Sequence, residues 1–330
     1  MRKSLSLLTA VLMFTSTQVQ ARNIVLTNDD GLTSNVVALY HALKEAGHDV
    51  IVSVPCTNQS GMGAALSIGR PLAPLEQSCL NDAAQAGDPG AGPMTRDDLP
   101  ADDFYYVNST PVMSLLYGLD VLGMERWGGE PDLVLSGPNE GQNVGAIILS
   151  SGTVSNAQFA AVRGLPAIAL SAGANSEGAD LANPVSVQVA QRAVELVTAL
   201  DNKAGDGALL PRGLALNVNF PDDLAGAQWR QTQIGTYNAY AIGFSDNMAE
   251  TASPTMRAMA EARGIQVPPL PGLNFEMNET SPTADQQNDE SVVYRQHIAV
   301  SPMQAGYAAS PAGAATVDWQ LSKLLSDSAD

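Results

Sequence analysis

The amino-acid sequence predicts an α/β protein with a mostly parallel sheet covered by helices on both faces. Short apolar runs alternate with stretches whose apolar residues recur at helical spacing through the first two-thirds of the chain. Strands interleaved with helices in this way build a parallel sheet through crossover connections. The chain has 330 residues, 45% hydrophobic and 15% charged, which supplies enough apolar side chain for a substantial core.

The first strand is Ile24–Thr27, an apolar run too short for a helix that stops at the pair Asp29-Asp30 and the turn signal Asp30-Gly31. A helix over Val36–Glu45 follows from the spacing of Val36, Leu39, Tyr40 and Leu43, with Gly47 as its stop. Further strands are predicted at Val50–Val54, Tyr105–Val107, Leu133–Ser136, Ala167–Leu170 and Leu214–Val218. The remaining helices are predicted over Pro111–Leu122, Thr153–Arg163 and Pro184–Leu200. Two segments break the rhythm. Asn81–Asp103, rich in Ala, Gly, Pro and Asp, reads as a solvated surface insertion. Glu250–Glu290, with "VPPLPG" inside it, reads as holding an arm that packs on another subunit.

Residues 1–21 read as a signal peptide rather than fold. Arg2 and Lys3 precede the apolar run Leu5–Phe14, too short to span a bilayer, and Val19-Gln20-Ala21 resembles a cleavage site. The reading is export, most simply to a periplasm, with no membrane attachment after cleavage. An oxidising compartment favours a disulfide between the two cysteines, Cys56 and Cys79. Net charge is −18, which argues against a nucleic-acid polymer as partner, because phosphate backbones would be repelled. An acidic protein that handles an anion needs a local positive centre, and a metal ion is one. His41, His48 and His297 lack metal-site spacing and read as surface or capping groups.

Four polar, Gly-containing loops each follow a predicted strand or open a helix: "TNDDG", "NQSGMG", "SGPNEGQNVG" and "SSGTVSNA". Taken as one site, Asp29 and Asp30 offer carboxylates, Ser60 a hydroxyl and Asn139 an amide oxygen. That all-oxygen set suits one divalent cation, Mg²⁺ or Mn²⁺ with Ca²⁺ as a possible occupant, rather than zinc or copper. Ser151, Gly152 and Thr153 lie at a helix start, where free N–H groups favour an anion. A metal beside an anion cradle is what phosphoryl chemistry requires.

The segments "VLTNDDG", "NQSG", "NSTP", "LVLSGPNEGQNVG" and "SSGTVSNAQFAAVRGLPAIALS" resemble, in order, the signatures of the SurE family of survival-protein nucleotidases and phosphatases. The likeness runs through residues 23–171, with fainter echoes at Leu216–Pro221 and His297–Tyr307. It implies a Rossmann-like, three-layer catalytic domain over residues 22–235 and a C-terminal extension over 236–330 that exchanges between subunits of a homodimer or homotetramer. It also implies metal-dependent hydrolysis of phosphate monoesters, commonly nucleoside 5′- or 3′-monophosphates. By the same resemblance the metal ligands are Asp29, Asp30, Ser60 and Asn139. Asn143 lines the phosphate pocket, and Ser151, Gly152 and Thr153 form the phosphate-side loop. Asp29, Asp30, Asn143 and Thr153 are the expected catalytic set. This sequence departs from the family pattern at Ser109, Met113 and Phe159, where Gly, Asp and Glu are usual. Those departures leave a second reading open, a non-catalytic exported protein that binds nucleotide or metal on the same fold.

Overall fold

The computed structural model describes residues 20–178, 180–262 and 264–325; most of the expected signal segment, residues 1–19, lies outside them. The chain opens with β1 (Asn23–Thr27), α1 (Ser34–Glu45) and β2 (Asp49–Pro55), then β3 (Ala91–Pro93) and β4 (Phe104–Val107). Helix α2 (Pro111–Tyr117) runs through wider turns at Gly118–Gly123 into α3 (Met124–Trp127) with helical backbone angles at both junctions, so the expected helix over Pro111–Leu122 continues past its predicted end. Next come β5 (Leu133–Glu140), α4 (Gly152–Val162), β6 (Ala167–Ala172), α5 (Pro184–Ala204), β7 (Leu214–Asn219) and β8 (Trp229–Gln231). The last third holds β9 (Tyr240–Ser245), α6 (Met248–Thr251), α7 (Pro254–Ala262), β10 (Gly272–Met277), α8 (Glu290–Val293), β11 (Ile298–Gln304) and α9 (Pro311–Gln320).

Strands β3-β4-β2-β1-β5-β6-β7-β11-β8 form one sheet in that order. All pairs are parallel except β3 with β4 and β11 with β7. The chain moves outward from β1 through β2 to β4, then returns to the other side of β1 with β5. The strand order therefore reverses at the β1–β5 boundary, and the crevice beyond the carboxyl ends of those strands is where such sheets take ligands. Alternation along β1 sends Ile24 and Leu26 into one buried layer with Leu39, Leu43, Val189 and Val197 of α1 and α5. Val25 faces the other layer with Leu115, Val154, Ala157 and Ala160 of α2 and α4. The three-layer Rossmann-like expectation holds.

Segment 81–103 is not a solvated loop. Ala83, Ala84, Met94 and Leu99 are buried, and β3 pairs with β4. A disulfide joins Cys56 to Cys79, both buried, and draws the start of this segment onto the end of β2. Alanine carries so little polarity or bulk that its burial leaves no periodic trace in such a stretch. His48 is likewise buried rather than on the surface, its Nδ1 accepting from the Arg22 N–H at 3.2 Å. The extension past residue 236 is divided. Strand β11 lies inside the main sheet, whereas β9 and β10 pair only with each other, and Ile242, Phe244 and Leu273 on them are exposed. Among the described residues no helix is long and apolar enough to cross a membrane.

Candidate active site

Asp29 and Asp30 leave the end of β1 in a turn set by Asn28. The Asn28 side chain accepts from the Gly31 N–H at 3.0 Å and donates to the Gly31 carbonyl at 2.7 Å, closing the loop locally. Both aspartates are almost wholly buried, at 3% and 2% exposure. The Gln59 N–H donates to the Asp29 carbonyl at 2.7 Å, which seats the Asn58–Ser60 loop beside the pair. The Gly63 N–H donates to the Ser150 carbonyl at 3.0 Å and brings that loop against the start of α4.

Each carboxylate has a distinct set of donors. Asp29 accepts from the Gly152 N–H at 3.1 Å and from the Thr153 hydroxyl. Asp30 accepts from Asn58 Nδ2 at 2.9 Å, Ser60 Oγ at 3.4 Å and the Glu140 N–H at 3.0 Å. Asn139 turns its Nδ2 to the Gly141 carbonyl at 2.6 Å, which leaves its Oδ1 facing Thr153 Oγ1 at 3.2 Å. One threonine proton thus stands between two acceptors, the Asp29 carboxylate and the Asn139 carbonyl. Gly152 is required by close approach: a Cβ there would lie 2.6 Å from both the Asp29 Cβ and the Pro111 Cγ. Asp29 thus lies against the start of α4, accepting from Gly152, while Ser151 caps the helix by accepting from the Val154 N–H at 3.1 Å.

Burial raises the Asp29 carboxyl against the pull of its Thr153 and Gly152 donors. Burial, then the neighbouring Asp29 charge, pushes Asp30 up to about 8. Burial and the Glu177 charge likewise push Glu140 up to about 7. None of the three forms an ion pair among the described residues. Adjacent buried carboxylates without a cation stay charged only at a cost of several kcal/mol each. A divalent cation fits that deficit, and the oxygens at hand are hard donors suited to it. No cluster of three or more His, Cys, Asp or Glu side chains among the described residues offers a metal site, so the oxygens at hand beside the two carboxylates are hydroxyls and amides.

The profile of a family described as Survival protein SurE matches residues 24–241. The chain belongs to the SurE family. The 5′-nucleotidase SurE of Sorangium cellulosum is 37% identical over 214 residues, 64% of this chain and 69% of that protein. The 5′-nucleotidase SurE of Thermosipho melanesiensis is 32% identical over 199 residues, 60% of this chain and 65% of that one. An acid phosphatase of Yarrowia lipolytica is 33% identical over 207 residues, 60% of this chain and 56% of that protein. The chain thus matches less than two-thirds of the length of the last two relatives. The crystal structure of the SurE protein from Aquifex aeolicus shares the fold, with a TM-score of 0.60 at 24% identity, covering 93% of this chain and all of that one.

The departures from the SurE pattern make no hydrogen bond to the carboxylates, although Pro111, two residues past Ser109, borders Asp29 across Gly152. Phe159 packs in the apolar layer under α4, and the Ser109 hydroxyl meets Ser67 Oγ at 3.3 Å. Neither they nor Met113 forms a hydrogen bond with Asp29, Asp30, Ser60 or Asn139. Asn143 is buried, with its Nδ2 donating to Ser171 Oγ at 3.0 Å and its N–H to Asn219 Oδ1 at 2.9 Å. The sequence pattern does not mark Asn58, Glu140 or Asn156 as site residues, although Asn58 lies two residues before Ser60 and Glu140 directly follows Asn139. Asn156 donates from Nδ2 to the Asn28 carbonyl at 3.2 Å and to Ser136 Oγ at 3.3 Å, beneath the aspartate turn.

Proposed function

We propose that this SurE-family protein is an exported, divalent-metal-dependent phosphomonoesterase acting on nucleoside 5′- or 3′-monophosphates. The observation that carries the reading is the buried Asp29–Asp30 pair with no cationic partner, at the reversal of strand order. The relatives named 5′-nucleotidase and acid phosphatase point to the same substrate class. Asp29, Asp30, Asn139 and Ser60 would hold the ion. A divalent cation so held supplies charge neutralisation at a phosphoryl oxygen and a lowered pKa for bound water. Thr153 orients Asp29, while Asn58 and the Glu140 N–H fix the rotamer of Asp30. Asn143 has two amide protons, and Ser171 takes one; the other donates to an equatorial phosphoryl oxygen. Export accords with the disulfide, since such bonds persist in oxidising compartments. The exposed apolar residues of β9 and β10 favour a homodimer or homotetramer built through the extension.

The test is hydrolysis of p-nitrophenyl phosphate and a panel of nucleoside monophosphates by protein stripped with EDTA, then resupplied with Mg²⁺ or Mn²⁺. Turnover should disappear on stripping and return with metal. No turnover with any cation, alongside retained nucleotide binding, would replace this reading with the non-catalytic binding protein.

A further inference from the structure

We propose that Glu290 is a positioning residue for the candidate site, holding the Asn143–Ala146 loop from behind through a buried polar network. The role rests on the phosphomonoesterase reading. Glu290 lies on α8, 145 residues further along the chain than the loop, and is fully buried. Its Oε1 accepts from the Gly145 N–H at 3.1 Å and its Oε2 from Asn217 Nδ2 at 3.0 Å. Asn217 Nδ2 also donates to the Asn143 carbonyl at 2.9 Å, and Asn219 Nδ2 donates to the same carbonyl at 3.0 Å. Asn219 Oδ1 receives the Asn143 N–H, and Asn238 Oδ1 receives the Ala146 N–H at 2.8 Å. Side chains from β7, α8 and the turn before β9 therefore occupy both backbone groups of Asn143 and the N–H groups of Gly145 and Ala146.

The neighbouring carboxylate, Asp289, holds the other side of this clamp. It accepts from the Thr236 and Tyr237 N–H groups at 2.8 and 2.9 Å and from Gln233 Nε2 at 2.8 Å, which fixes the turn that presents Asn238. Gly145 adopts φ +60, and a Cβ there would meet Asn238 Oδ1 at 2.8 Å, Ser291 Oγ at 2.9 Å and the Tyr237 carbonyl at 3.0 Å. The loop is pressed onto the clamp with no room for a side chain at that point. With its backbone fully committed, Asn143 has one conformation from which to present its side-chain amide, and small displacements of such a group cost catalysis heavily. An acid in this interior position is costly: burial pushes Glu290 up to about 7 despite its Ser301, Asn217 and Gly145 donors. The strands and loops downstream of the nucleotidase motifs thus complete the site from within one chain.

The test compares Glu290→Ala and Glu290→Gln with wild type in p-nitrophenyl phosphate kinetics, inhibition by inorganic phosphate, Mn²⁺ binding and hydrogen exchange of the 143–146 amides. Glu290→Ala should lower kcat at least about tenfold and weaken phosphate inhibition, with Mn²⁺ affinity within about twofold of wild type and faster exchange at Gly145. Glu290→Gln, which retains an acceptor for Gly145 but turns a donor toward Asn217 Nδ2, should recover part of the rate. Should Glu290→Ala fail to fold, Glu290→Asp, one methylene shorter, is read in its place. Wild-type kinetics in a folded Glu290→Ala protein overturn the positioning role alone. Absence of turnover in the wild type overturns the phosphomonoesterase reading and this role together.

Discussion

The two ends of the sheet treat aspartate in opposite ways. At the carboxyl end, Asp29 and Asp30 are buried side by side with no ion pair among the described residues, and their carboxyls are raised. At the amino end, Asp49 and Asp103 share Arg126, with Lys44 3.3 Å from Asp103, the Trp127 N–H 2.7 Å from Asp49 and the Tyr40 hydroxyl on Asp103. Burial acts to raise the Asp103 carboxyl, but Tyr40, Arg126 and Lys44 outweigh it and hold it below the ordinary carboxylate range. A structural acid comes with its counter-charges already in the chain. Among the described residues the acids at β1 have none, and that deficit is what the proposed cation would offset.

The sharpest way to break this comparison is to neutralise one acid at each end. Asp29→Asn should reduce kcat/KM for p-nitrophenyl phosphate by at least about 10³-fold, because it removes one charge from the pair proposed to hold the metal and weakens the acceptor for Thr153. Asp49→Asn should leave that rate within about twofold while lowering thermal stability. Equal losses of rate from the two substitutions would show that both act through the fold alone.

The pairing at the carboxyl end was only partly legible in the sequence. Strands β1, β2 and β5 were readable because each is a run of buried apolar residues ended by Gly and polar turn residues. The proposed ligands Asp29, Asp30, Ser60 and Asn139 stand in the polar segments that follow those apolar runs, which is what made them candidates. What links them is not local. The Thr153 hydroxyl between Asp29 and Asn139 requires α4 to start a few ångströms from the end of β1, which no spacing along the chain encodes. Strands β3, Ala-Gly-Pro, and β8, Trp-Arg-Gln, are each three residues long, too short to show an alternation. Asn217, Asn219, Ser171 and Ser301 are polar residues inside buried strands. They break an otherwise apolar run, and that break was the available signal for the network behind Asn143.

A smaller effect separates the ends by pH. A carboxyl raised in the folded state gives its full stability below the unfolded pKa, near 3.9, and loses it as pH rises through the folded value. For Asp30 that window extends to about 8. Metal-free protein should therefore lose about 5 °C of melting temperature between pH 5 and pH 8 that the Asp30→Asn variant does not lose. Asp29, Glu140 and Glu290 slope the same way, and His48, whose pKa burial lowers, slopes oppositely below 6.5, so the difference between the two proteins reports the Asp29–Asp30 pair. Added Mn²⁺ should restore more at pH 8 than at pH 5. Identical pH slopes for wild type and variant would mean that Asp30 is already compensated within the chain.

The smallest expected effect belongs to the amino end. Arg126→Met removes the cation shared by Asp49 and Asp103 but leaves Lys44 and the Tyr40 hydroxyl on Asp103. Partial exposure of Asp49 limits the loss on that side, so the stability change should be about 1–2 kcal/mol, dominated by Asp103. Because the folded Asp103 carboxyl is lowered, its contribution is present above the ordinary carboxylate range and lost as pH falls through the folded value. Without Arg126 that folded value moves up, so acid unfolding should begin at a higher pH than in wild type. Catalytic rate at neutral pH should be unchanged. Adding Asp103→Asn to Arg126→Met closes a double-mutant cycle, and a coupling energy near zero would show that the guanidinium supports packing rather than the acid it touches.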